Sequence, residues 1–67
     1  MFKLEGEYIT LQQFLKAVNI ASTGGEAKLL IQEGHVCVNG ETETRRGRKL
    51  YPGDEVKTDD STFMIQR

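Results

Sequence analysis

The chain has 67 residues, with nine Lys/Arg, ten Asp/Glu, one Cys and one His. That length holds one domain, residues 1–67, of modest stability, since so short a chain buries only roughly 60% of its unfolded surface. A single Cys excludes an internal disulfide, and one Cys with one His excludes the usual zinc frameworks, so neither a metal nor another cofactor is expected.

The first residues alternate. Phe2-Lys3-Leu4 reads as a short strand, and Tyr8-Ile9 extends it past Gly6. Thr10-Leu11-Gln12-Gln13 reads as a capping box, with Thr10 accepting from the amide of Gln13 and the Gln13 side chain reaching back. Leu11, Phe14, Leu15 and Val18 follow at helical spacing, and Asn19 is the stop. A second capping box follows in Thr23-Gly24-Gly25-Glu26, with Thr23 as the cap of a second helix and Glu26 three residues on. Ala27, Leu30 and Ile31 form its inner face, and Lys28 lies off that face. Gly34 suits the left-handed residue that ends a helix. Leu15, Leu30, Ile31 and Val36 have the spacing of a shared core.

From His35 the period changes to two. Val36 and Val38 point one way, His35 and Cys37 the other. Asn39-Gly40 marks a tight turn, and Glu41 to Thr44 forms the return strand. Pro52-Gly53-Asp54 is another turn and Glu55-Val56-Lys57 a short strand. After Asp59-Asp60-Ser61 the segment Thr62 to Gln66 makes a last strand, with Phe63 and Ile65 on one face. The order implies an α+β fold, a two-helix pair on a small, mostly antiparallel sheet.

Arg45-Arg46-Gly47-Arg48-Lys49 is the outstanding charged feature. Without it, five basic residues face ten acidic ones. An acidic protein that gathers its positive charge in one loop attracts polyanions to one place and repels them elsewhere. Guanidinium groups suit phosphate through paired N–H donors and also stack on bases. Gly47 lets this loop turn sharply. Gly24 and Gly25 leave the first amides of the second helix uncovered, and these favour a phosphate oxygen through the helix dipole. Lys28 adds a charge one turn in. The bland alternatives are a solvated charged loop and a helix turn that needs small residues. Glu26 works against the phosphate reading if its carboxylate occupies the same amides. An exposed loop residue such as Arg48 is expected to add little stability.

The stretch from Gly25 to Gly40, with Ala27, Leu30, Ile31, Gly34, Val36-Cys37-Val38 and Asn39-Gly40 in order, resembles the core of the ribosomal protein S-four type RNA-binding domain, the alpha-L motif. Pro52-Gly53-Asp54-Glu55-Val56 is similar to that family's later Gly-Asp element. The likeness spans residues 10–57. The Arg-Arg-Gly-Arg-Lys-Leu-Tyr segment resembles the small stand-alone bacterial members, of the YaaA/YbcJ type.

The resemblance implies non-catalytic binding of structured RNA, with ribosomal RNA or the large ribosomal subunit as partner and ribosome assembly as a role. It assigns RNA contacts to Ser22, Thr23, Gly24, Gly25, Lys28 and the loop residues Arg45, Arg46, Arg48 and Lys49. His35, expected on the sheet surface near that side, is counted among the RNA-binding residues. The chain departs from the family pattern at Leu11-Gln12-Gln13 and at Ser22-Thr23-Gly24-Gly25, where basic residues are common. Tyr51 beside the loop suits either stacking on a base or packing over Leu50.

No nucleophile–base or acid–base pair is visible, so no enzyme is expected. The pI of 5.7 opposes a general DNA-coating role. No apolar run approaches the ~20 residues of a membrane span, and the first residues do not resemble a signal peptide, so a cytoplasmic protein with no membrane partner is expected. A protein–protein adaptor that docks an acidic partner on the basic loop is one alternative. A ubiquitin-like sulfur carrier is another, opposed by the ending Ile65-Gln66-Arg67, which lacks the Gly-Gly that adenylation needs.

Overall fold

Two helices lie over a small sheet in the computed structural model, which describes residues 2–67. The strands are β1 (Phe2–Lys3), β2 (Ile9–Thr10), β3 (Cys37–Val38), β4 (Glu41–Thr42), β5 (Lys49–Leu50), β6 (Glu55–Lys57) and β7 (Thr62–Gln66). The helices are α1 (Leu11–Ala17) and α2 (Gly24–Gln32). Five strands form one sheet in the order β1-β7-β6-β3-β4, antiparallel except for the parallel β1–β7 pair. Strands β2 and β5 form a separate antiparallel ribbon. The α+β class and the mostly antiparallel sheet agree with the sequence.

Local signals account for most of the boundaries. Thr10 caps α1, and the reciprocal Gln13 contact completes the box. Asn19 takes φ +63° just past α1, and Gly34 takes φ +85° just past α2. Asn39 and Gly40, at φ +53° and +86°, turn β3 into β4. The Asn39 side chain also ties two turns together. Its Nδ2 donates to Asp54 Oδ1 at 3.1 Å, and its Oδ1 accepts from the Glu55 amide at 2.9 Å.

One hydrophobic cluster joins helices and sheet, from Leu4, Leu11, Phe14 and Leu15 through Ala27 and Ile31 to Val36, Val38, Leu50, Val56 and Ile65. Phe14 fixes α1 to the sheet. Its ring meets Phe2 and Phe63 edge-on at centroid distances of 5.0 and 5.3 Å.

Three expectations need correction. The N-terminal segment is two strands, because Gly6 turns at φ +91° and sends β1 to β7 and β2 to β5. The return strand stops at Thr42, because Glu43 turns inward and is buried. Leu30 is only half-buried at the edge of the cluster, whereas Leu15, Ile31 and Val36 are inside it.

Candidate nucleic-acid interface

The basic loop is a built structure. Glu43, 7% exposed, sits at its base. Glu43 Oε2 accepts from the Arg45 amide at 3.1 Å and from Arg45 Nε at 3.0 Å. Glu43 Oε1 accepts from Arg45 Nη2 at 3.2 Å and from Arg48 Nη1 at 2.7 Å. The Arg45 and Arg48 guanidiniums hold this carboxyl at about 2, well below its ordinary 4.5, against the opposing effect of burial. The Arg48 amide donates to the Arg45 carbonyl and closes the turn. Gly47 needs no special backbone there, since it lacks a positive φ and a Cβ on it would meet open space.

This clamp divides the basic residues. Arg45 and Arg48 share one buried anion, although the Arg45 side chain remains 74% exposed. Arg46 and Lys49 form no ion pair among the described residues. Lys49 belongs to β5 rather than the loop, and its Nζ lies 4.9 Å from the centroid of the Tyr8 ring. Arg48 is not the loosely held loop residue that its sequence context suggests. Its side chain is 32% exposed and is tied to Glu43.

The loop folds against the start of α1. The amides of Leu11 and Gln12 donate to the carbonyls of Arg48 and Arg46 at 2.8 and 3.0 Å. These first-turn amides are therefore satisfied within the protein. The Gln12 side chain then reaches α2, where a Cβ on Gly24 would stand 2.6 Å from Gln12 Nε2. A single residue thus links the basic loop to the opening of the second helix. A side chain at position 24 would displace the end of the flexible Gln12 side chain from this contact.

The start of α2 differs from that of α1. Thr23 Oγ1 accepts from the Glu26 amide at 3.1 Å. The Glu26 carboxylate bonds to the Ser22 amide at 3.2 Å, so it spares the amides of Gly24 and Gly25. Among the described residues no acceptor is bonded to those two amides. A Cβ on Gly25 would approach only Thr23 Oγ1, at 3.9 Å, so position 25 is open. Lys28 is half-buried one turn further on and forms no ion pair among the described residues.

His35 has other neighbours. It follows the end of α2, with Nδ1 2.9 Å from Asp59 Oδ2 and Nε2 3.6 Å from Glu33 Oε1. A hollow lined by Asn19, Ile20, Leu30, Thr58, Asp59 and Asp60 adjoins it. Carboxylates therefore surround His35, and their charge opposes phosphate.

Ser22, Thr23, Gly24 and Gly25 are thus gathered with the loop through Gln12, and His35 is not. Sequence reasoning missed Gln12, Glu43 and Tyr8. The Glu43–Arg45–Arg48 spacing was visible, but a carboxylate in a charged stretch reads as solvated. Among the described residues no group of three or more His, Cys, Asp or Glu is placed to hold a metal. No helix among them is long and apolar enough to cross a membrane.

The S4 domain family model matches residues 2–66. The chain belongs to the S4 domain family. A relative from Bacillus subtilis (strain 168), described as a probable ribosome maturation protein, RlbA, is 50% identical over 54 residues, which are 81% of this chain and 76% of that one. The solution structure of YbcJ from E. coli, described as having an αL motif involved in RNA binding, is similar with a TM-score of 0.74 and 30% identity. That similarity covers 98% of this chain and 85% of YbcJ. The two-helix pair and antiparallel-rich sheet are therefore the αL form of the S4 domain.

Proposed function

We propose that this S4 domain, as one unit of residues 1–67, binds structured RNA without catalysing a reaction on it. Ribosomal RNA is the proposed partner, ribosome assembly the proposed role and the cytoplasm its setting. The carrying observation is the convergence of the basic loop and the open start of α2, bridged by Gln12. Arg46 and Lys49 supply mobile charge, while the Glu43 clamp holds Arg45 and Arg48 at fixed positions on the same surface. The amides of Gly24 and Gly25, with Lys28 and the hydroxyls of Ser22 and Thr23, extend the donor set onto α2. Phosphate contacts of this kind fix position and register on an RNA rather than reading its sequence. The relatives' descriptions, one as a probable ribosome maturation protein and one as an αL motif involved in RNA binding, support the same reading.

Crosslinking in cells followed by sequencing of the attached RNA tests this reading. Ribosomal RNA should dominate the recovered fragments, and Arg46→Ala with Lys49→Ala should reduce their yield. Recovery of proteins alone, with RNA at background, would favour the adaptor alternative.

A further inference from the structure

The β2–β5 ribbon carries a surface that phosphate binding does not explain. Its register pairs Ile9 with Leu50 and Thr10 with Lys49. Leu50 is buried, and Ile9 packs against the same core. Strand alternation therefore turns Tyr8, Tyr51 and Lys49 outward together. The two tyrosine rings lie 6.0 Å apart, tilted at 51°, and the residues are 42% and 47% exposed. Lys49 Nζ stands over Tyr8. The Tyr51 amide donates to Asp54 Oδ2 at 2.8 Å, which fixes the strand end beneath the ring. Arg48 leads directly into β5, so the rings stand at the foot of the basic loop.

A cross-strand aromatic pair also braces a short ribbon. Bracing alone requires neither exposure of both tyrosines nor a cation at the pair. We propose that Tyr8 and Tyr51 form a stacking platform for an unpaired base of the bound RNA, with Lys49 and Arg46 taking the phosphate beside it. This rests on the RNA-binding reading above and narrows it to the class of RNA. A fully paired stem hides the faces of its bases, whereas a bulged or splayed base presents them. Aromatic rings accept any base face, so the platform selects an unpaired nucleotide beside a helix rather than a particular sequence. Among the described residues Lys49 Nζ has only the cation–π contact with Tyr8, so it is free to swing to an arriving phosphate and clear the ring.

The chain has two tyrosines and no tryptophan, so tyrosine emission reports on this pair alone. Two hairpin RNAs of equal length serve as probes, one with unpaired adenosines in its stem and one with the same residues paired. The bulged hairpin should bind roughly fivefold tighter or more, the low end of base–aromatic stacking, and should quench the tyrosine emission. Tyr8→Ala with Tyr51→Ala should erase the preference and leave affinity for the paired hairpin and its salt dependence unchanged. Tyr8→Phe with Tyr51→Phe should keep the preference. Equal binding of the two hairpins with a normal salt dependence would overturn the platform alone, as would a retained preference in the alanine variant. Binding of neither hairpin would overturn the RNA reading and the platform together. Should the alanine variant fail to fold, quenching in the unmodified protein decides, and its absence with bulged RNA bound overturns the proposal.

Discussion

The two ends of α2 follow opposite rules. At its start two amides are open, a basic loop stands close by through Gln12, and Glu26 is turned back onto Ser22. At its end Glu33 and Asp59 flank His35, and Asp60 lines the adjoining hollow. The helix dipole adds partial positive charge at the start and partial negative charge at the end. Side-chain charges and dipole therefore point the same way along a helix about 13 Å long. Charges of these signs work against helix stability by ~0.3–1 kcal/mol each near a terminus. Glu26 is the exception, a carboxylate in the first turn of α2 that the dipole favours and that is spent on the Ser22 amide. Apart from it, open amides and the basic loop stand at one end and the carboxylates of Glu33, Asp59 and Asp60 at the other.

Removing the support shared by both ends should have the largest effect. Ile31 is fully buried beneath α2. Ile31→Ala is expected to cost ~2–5 kcal/mol, against a total of roughly 5 kcal/mol for a domain this small. A thermal melt should show a substantially unfolded population at physiological temperature, and RNA binding should fall with it. Leu30→Ala should cost less, because Leu30 is only half-buried.

Within the start region, the Glu43 clamp separates two kinds of arginine. Arg48→Ala should lower stability by roughly 1–3 kcal/mol, since a buried carboxylate loses a charged donor, and should also weaken RNA binding. Arg46→Ala should weaken binding with the melt nearly unchanged. Paired melts and titrations of the two variants check this, and identical melts would remove the structural role given to Arg48. The clamp also fixes an acid limit. The Glu43 carboxyl lies at about 2 in the fold, below its ordinary 4.5. Its stabilising contribution is therefore complete above the ordinary value and is lost as pH falls through about 2. Glu43→Gln should abolish that part of the acid dependence, as followed by circular dichroism.

A smaller change sharpens the contrast at the first turn itself. Gly25→Asp places a carboxylate at an open position where the dipole favours it, so the melt should hold or rise slightly. RNA binding should fall, because the carboxylate occupies the phosphate position. Binding that survives with an unchanged melt would reduce the start of α2 to a helix turn. At the other end, His35→Ala should change RNA affinity least of all, and titration against the same hairpin checks that.

Local chemistry was legible in the sequence. Thr10 with Gln13 and Asn39-Gly40 each act over three or four residues and stand as read, whereas the second box is only half closed: Thr23 caps α2, but the Glu26 carboxylate accepts from the Ser22 amide. The charged loop was also visible as a patch. Its internal wiring was not, because a carboxylate between charged residues gives no sign that it is buried and takes Arg45 and Arg48 as partners. The Tyr8–Tyr51 pair depends on a ribbon that joins Ile9–Thr10 to Lys49–Leu50, far apart in sequence, and Gly6 concealed the split between β1 and β2. The neighbours of His35 were not legible, because strand alternation gives a side chain's face but not the loop that packs beside it. Asp59, contributed by the turn before β7, decides its surroundings.

The central claim is that positive charge gathered at the start of α2 binds RNA phosphate. Salt dependence of hairpin binding measures it most directly. With ~4 phosphates neutralised, the log–log slope should be roughly −2.8 to −3.6, at ~0.7–0.9 per contact. Arg46→Ala with Lys49→Ala should flatten it by roughly 1.4–1.8, or two contacts. A slope unchanged in that double variant would contradict the claim and place the RNA elsewhere on the molecule.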